Sequence, residues 1–221
     1  QGLSFITGST WDATSTPGTF QILPMLVGTL VVSILGLIIA VPTSVAVAYF
    51  IEYMAPPKVA KIATSLIDLL AALPSVVIGL WGLYVLIPHA VTWSKLLSTH
   101  LGFIPFFRTD FDNAQGAPFI AGWTVAIMII PIITSVSREV MGRVDKELVS
   151  AASALGGTNF STMRRVVLPT AKSGILGGIL LGLGRALGET VAVFFVLQLF
   201  FDEVNWYRIL ESSGGSVASL I

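Results

Sequence analysis

"GLGRALGET", residues 182–190, sets an arginine and a glutamate inside an apolar run that extends over about 174–201. Two readings compete for it. The G-x-G-x-x-x-G spacing is close to that of a glycine-rich phosphate loop, whereas the flanking residues are those of a membrane span. A phosphate loop needs a strand leading into the glycines and a βαβ setting. Here the glycines lie within the run, without alternating hydrophobicity and without a suitably placed acidic residue downstream. The stretch therefore reads as part of a span.

Composition points the same way. Of the 221 residues, 54% are hydrophobic and 11% charged, and the mean hydropathy is +0.88. Soluble domains carry about 25% charged residues. Twelve basic side chains balance twelve acidic ones, so no basic excess suggests a nucleic-acid partner. The absence of cysteine excludes disulfides and thiolate metal sites. Gln1 opens the chain without the basic n-region of a signal peptide, so a longer chain is expected.

Four apolar runs reach the roughly 20 residues a spanning helix requires. They fall at about 24–51, 62–88, 119–138 and 174–201. Pro42, Pro74 and Pro131 lie inside them, which membrane helices tolerate when neighbours satisfy the freed carbonyls. The fold expected is an all-α integral membrane helical bundle, a single domain over 1–221. Lys58 and Lys61 sit in one connecting segment. Arg138, Arg143, Lys146, Arg164, Arg165 and Lys172 sit in another. The positive-inside rule places both segments in the cytoplasm. The other side carries Lys95, Arg108 and Arg208, with a short amphipathic helix expected within 90–102. His89 and His100 lie there too, far from other ligand-type residues, and read as solvated surface groups. No metal site is expected, and neither a GxxxxGK[ST] loop nor a Ser/His/Asp arrangement suggests an enzyme.

The glycines of the fourth run have a packing explanation. Gly174, Gly178 and Gly182 recur every four residues, as do Gly184 and Gly188, and such patterns let helices approach closely in lipid. Arg185 and Glu189, also four apart, should share a helix face. Arg185 lies 13 residues from Lys172, some 20 Å deep at 1.5 Å per residue. A charge there costs at least ~2.5–3.5 kcal/mol. Either the two charges neutralise each other, or Glu189 orients Arg185 toward an anion in a water-filled path. Ser75, after the Pro74 break, is 14 residues from Lys61 and should lie at similar depth. Asp68, two turns nearer the cytoplasm, reads equally as a pathway residue or an interfacial polar group. These four residues, Arg185, Glu189, Ser75 and Asp68, form the candidate substrate path.

Residues 143–169 read as a cytoplasmic loop of two short helices hinged at Gly156-Gly157. Within it, "SAASALG", nine residues and then "VVLP" resembles the EAA loop of ABC importer permeases. Ala151, Ala152, Gly156, Leu168 and Pro169 stand on that motif, while Ser150 occupies the place of the family's glutamate, with Glu147 one turn earlier. The resemblance implies a coupling helix docking on an ATPase through Ser150, Ala151, Ala152, Leu155 and Gly156. Further stretches, "ILPMLVGTL", "IAVPTSVAVAYFIEYMAPP", "LLAALPSVVIGLWGLYVLIP" and "GRALGETVAVFFV", resemble the membrane subunits of phosphate importers. The "ETVAV" continuation is closer to the C-type (PstC) than the A-type permease. This resemblance implies a MetI-like, type I bundle in a bacterial cytoplasmic membrane, with six spans in the intact subunit. It also implies inorganic phosphate as cargo, an A-type partner permease, two ATP-binding subunits and an extracytoplasmic phosphate-binding protein. ATP and magnesium would be held by the partners and no cofactor by this chain. Alternatives are another oxyanion as cargo, a gradient-driven secondary transporter using Asp68 and Glu189, or a scaffold in which Arg185 and Glu189 only lock helices together.

Overall fold

A computed structural model of the chain describes residues 3–12, 19–108, 116–197 and 208–211. The elements in chain order are α1 (Ser4–Thr7), β1 (Trp11–Asp12), β2 (Thr19–Phe20), α2 (Leu23–Tyr49), α3 (Pro57–Ala71), α4 (Ser75–Trp81), α5 (Ile87–Leu101), α6 (Pro118–Gly142), α7 (Lys146–Ala154), α8 (Asn159–Thr162), α9 (Leu168–Leu187) and α10 (Val191–Val196). π-helical turns extend α2 through Phe50–Met54, join α4 to α5 through Gly82–Leu86, and join α8 to α9 through Met163–Val167. The fold is all-α as expected. Its strands form only a two-residue antiparallel ladder, Trp11 opposite Phe20 and Asp12 opposite Thr19.

Among the described residues, four helical runs are long and apolar enough to span: Leu23–Met54, Ser75–Leu101, Pro118–Gly142 and Asn159–Leu187. The number matches the expectation, but two boundaries do not. The second run was expected as one span over 62–88, yet the helix stops at Ala71 and restarts at Ser75. Pro42 and Pro131, in contrast, sit inside unbroken helices. Proline removes one helical hydrogen bond and crowds the preceding turn, and packing must offset that. Ser44 on α2 bonds the Ile130 carbonyl of α6 at 3.1 Å, whereas α3 has no buried residue to brace it. The short helix expected within 90–102 is α5, a continuation of α4 rather than a separate element. The fourth run, expected over 174–201, ends as a helix at Leu187, and its residues 198–201 lie outside the described residues.

Two compact units divide the chain: 1–36, 74–126 and 185–221 form the first, and 37–73 and 127–184 the second. In the first unit, small residues bring helices together. A Cβ on Gly122 would fall 2.7 Å from Leu35 Cβ, and one on Gly79 would fall 2.8 Å from Ala192 Cα. Met25, Ile120, Val125 and Val193 fill the spaces between. The ring of Trp93 tilts against that of Trp123 at 6.1 Å, and Arg208 pairs with Glu211 at 3.0 Å.

In the second unit α9 lies antiparallel on α6. Gly174 faces Val140, Gly178 faces Val136 and Gly182 faces Ile133, with added Cβ atoms falling 2.5, 3.1 and 2.8 Å from those side chains. The first glycine series therefore packs as its period implied. Gly184, expected to pack likewise, has open space where a Cβ would stand. Close packing needs a facing helix, and nothing on the described chain covers that position. At the other end of this unit, Ala48, Tyr49, Met141, Val144, Val167, Ala171 and Ile175 form a buried cluster. Replacing Gly174 by Val should overpack the α6–α9 contact and cost about 1–3 kcal/mol. Thermal unfolding of the solubilised protein checks this, with Gly177→Ala, at an open position, expected not to lower the midpoint, since alanine is the better helix former.

Candidate functional site

The sequence at 184–190 does not continue as a helix. α9 ends at Leu187, and Gly188, Glu189 and Thr190 form the link to α10. Glycine is a poor helix former, and two of them, Gly184 and Gly188, bracket the final turn. Glu189, 8% exposed, turns its carboxylate onto the start of α10, where Oε1 accepts from the Ala192 amide at 3.2 Å. It acts as an N-terminal cap, satisfying a donor that helix geometry leaves free. Arg185 remains on α9 and is exposed. Among the described residues no hydrogen bond or ion pair joins it to Glu189. The expectation that the two share a helix face is thus corrected, because i,i+4 neighbours meet only on an unbroken helix.

A second break lies in the same unit. Pro74 has extended backbone (φ −61°, ψ 139°), and Ser75 opens the helical run that continues to Leu101. Gly79 of α4 meets Ala192 of α10, and Gly82 beyond it meets Val196, so the restarted helices run parallel. Ser75 precedes Gly79 by four residues and Glu189 precedes Ala192 by three. Their starts consequently lie at one level. Ser75 and Glu189 are brought to adjacent helix beginnings, with Arg185 one turn earlier on α9. The free amides of a helix beginning favour anions, as does an unpaired guanidinium. Asp68 belongs to the other unit; it is exposed on α3 and has no ion-pair partner among the described residues.

Of the two short helices expected in the loop 143–169, α7 stands alone, whereas α8 runs on through Met163–Val167 into α9 as one helical run, Asn159–Leu187. Asp145 caps α7 by accepting from the Glu147 amide at 2.9 Å, and Thr158 caps α8 from Ser161 at 3.3 Å. Gly156 adopts φ +83°. The Gly157 amide reaches the Ala152 carbonyl and the Gly156 amide that of Ser153, each at 3.0 Å. This is a Schellman closure, and glycine supplies the left-handed residue it requires. Ser150, Ala151 and Gly156 are exposed, Ala152 is half-buried, and Leu155 and Phe160 are 90% and 68% exposed. Ser150 lines a cavity of about 240 Å³ with Glu52, Tyr53 and Lys146. Glu147, one turn from Ser150, is exposed and forms no ion pair among the described residues.

Sequence reasoning missed what holds this loop in place. Tyr53 donates to the Met141 carbonyl at 2.6 Å and Tyr49 to the Asn159 carbonyl at 2.9 Å. Their rings stack at 5.0 Å. The two acceptors bracket α7, one at the end of α6 and one at the start of α8. Four-residue spacing near a helix end was the available signal. His89 and His100 are exposed as read from the sequence, their rings bonding carbonyls one turn back. Among the described residues no group of three His, Asp or Glu could hold a metal ion.

A spanning helical domain with broken helices and a firmly tethered, apolar-tipped loop has the architecture of an importer permease. Residues 40–221 match the family described as binding-protein-dependent transport system inner membrane component. The chain belongs to this family. It is a multi-pass membrane subunit and not the ATP-hydrolysing component. Curated relatives carry a more particular name, phosphate transport system permease protein PstC. That of Pasteurella multocida (strain Pm70) is 40% identical over 226 residues, covering 100% of this chain and 68% of the relative. That of Xylella fastidiosa (strain 9a5c) is 37% identical over 227 residues, covering 100% and 68%. In Mycobacterium leprae (strain TN) the figures are 36% over 206 residues, 92% and 65%. A solved amino acid ABC transporter is 23% identical, covering 73% of this chain and 67% of that one, with a TM-score of 0.41.

The geometry separates the two charges experimentally. Glu189→Leu should remove the cap of α10 and cost about 1 kcal/mol. Arg185→Gln, losing no partner, should leave the unfolding midpoint unchanged. Thermal denaturation of both variants in detergent checks the difference.

Proposed function

We propose that the chain is the C-type permease subunit of an ATP-driven phosphate importer and forms half of its translocation path. Its substrate is inferred from 36–40% identity to relatives named as phosphate transport permeases. The observation that carries the site is Arg185, an exposed cation beside two helix breaks, with its nearest carboxylate in sequence committed elsewhere. In this reading an A-type permease supplies the other half of the path. Two ATP-binding subunits hold ATP and magnesium, and an extracytoplasmic protein delivers phosphate.

The cycle is alternating access. ATPase closure moves α7 and α8, and Tyr49, bonded to the start of α8, passes that movement to the end of α2, which Tyr53 ties to the end of α6. Leu155 and its neighbours Ser150, Ala151, Ala152 and Gly156 supply the docking face. Arg185 then attracts the oxyanion, Ser75 offers a hydroxyl, and Glu189 holds the break open by capping α10. One cation gives enough attraction to admit an anion and little enough to release it.

Labelled-phosphate uptake by the complete reconstituted complex, with sulfate as competitor, tests the reading. Arg185→Ala should yield an assembled complex whose uptake falls about tenfold to a hundredfold, the worth of a charge-assisted hydrogen bond. Normal uptake would overturn the site assignment. Gly156→Asp places a charged β-branchless side chain at φ +83°, where a non-glycine residue costs roughly 1–2 kcal/mol. Phosphate-dependent ATP turnover should fall with it, and unchanged turnover and co-purification would refute the docking role.

A further inference from the structure

A second set of cations lies away from Arg185, in the other unit. The end of α2, the first turns of α3 and Arg138 of α6 enclose an open cleft of about 500 Å³. Lys61, Thr64, Ser65 and Arg138 supply its basic and hydroxyl groups, and Glu52 stands at one margin. Arg138 is half-buried and donates from Nη1 to Thr64 Oγ1 at 3.1 Å. Its guanidinium has several further donors. Arg143 and Arg208, in contrast, are each matched to a glutamate. Among the described residues neither Lys61 nor Arg138 has a carboxylate partner. Glu52 forms an ion pair with neither among the described residues, and its carboxylate lies over Gly142, where an added Cβ would be 2.9 Å from Oε1.

We propose that this cleft binds a phosphoryl group, either of a phospholipid head or of inorganic phosphate, on the cytoplasmic side of the membrane. Two unmatched cations and two hydroxyls within one cavity are the donor set that a phosphoryl group takes, with arginine able to bind two of its oxygens at once. The location suits both sources. Positive-inside topology puts Lys58, Lys61 and Arg138 at the inner surface, where anionic headgroups collect and where transported phosphate would emerge. Arg138 precedes the α7 cap, Asp145, by seven residues on the path from α6 to the coupling loop. A bound phosphoryl group would tie α3 to the base of that loop more strongly than the Thr64 hydroxyl does alone. The inference rests on the proposed function for its membrane orientation and, in the free-phosphate case, for its cargo, but not for its Arg185 site.

The intact complex, purified through this subunit, allows two binding measurements without turnover. Native mass spectrometry counts retained phospholipid, and titration with labelled inorganic phosphate is done in the Arg185→Ala background so that the transport path does not contribute. Lys61→Gln and the double variant Lys61→Gln/Arg138→Gln should weaken one of the two ligands by about tenfold or more. Loss of lipid alone assigns the headgroup, and loss of inorganic phosphate alone assigns the free ion. Lys61 is exposed, so its single variant reports on binding even if the double variant folds poorly. Lys58→Gln, outside the cleft, should change neither ligand. The proposal is overturned if both cleft variants bind both ligands as the parent does, or if Lys58→Gln weakens them equally. Failure of the transport reading would instead appear as normal uptake by Arg185→Ala.

Discussion

A backbone in hydrocarbon finds no water to satisfy it, so it must be helical unless protein supplies other partners. That constraint gives each interruption in this chain its meaning. At Pro42 and Pro131 the helices continue, held by neighbours and by a hydroxyl such as that of Ser44 on the Ile130 carbonyl. At Pro74 and again at Gly188 the helix ends and another begins. The second interruption has its own chemistry, a carboxylate from Glu189 closing the start of α10. Glu189 is therefore better understood as a backbone partner than as a counter-ion. A scaffold in which Arg185 and Glu189 clasp each other lacks the clasp.

Rigidity and looseness are segregated along the same polypeptide. Gly174, Gly178 and Gly182 seat α9 against α6 so closely that valine or isoleucine side chains touch its backbone ridge. Elsewhere on the same helix Gly177 and Gly184 face open space. One helix thus presents a packed edge and a vacant one. The packed edge joins α6 and α9, which flank the loop 143–169, and Tyr53 ties the end of α2 to the end of α6 while Tyr49 ties it to the start of α8. The ends of three helices are thus held together by hydrogen bonds and buried contacts around α7.

Much of this was legible from residue order. The all-α membrane fold followed from run length and charge scarcity, and the α6-facing side of α9 from a four-residue glycine period. Gly156 was readable as a joint because only glycine readily takes the left-handed conformation of a Schellman closure. Other features were hidden for physical reasons. The break at Pro74 was readable, since proline cannot continue the helical ladder, but nothing in the hydropathy of the fourth run marked the break at Gly188. The Arg185–Glu189 spacing implied a shared face only on the premise of an unbroken helix. The tyrosine tethers depend on carbonyls 88 and 110 residues distant in sequence, a separation no local pattern encodes.

These hidden features concern where charge is left uncompensated. A chain with twelve acidic and twelve basic residues could pair most of them, and it does so at Arg143–Glu139 and Arg208–Glu211. It leaves Arg185 exposed beside the helix breaks and leaves Lys61 and Arg138 together in a cleft near the loop. Isolating a cation at depth in a membrane protein is costly, and in the proposed readings an anion offsets that cost for part of the cycle. A lone arginine suits a ligand that must leave again. A lysine and an arginine flanked by hydroxyls suit one that stays longer. The difference in donor number between the two places separates passage from retention on electrostatic grounds alone.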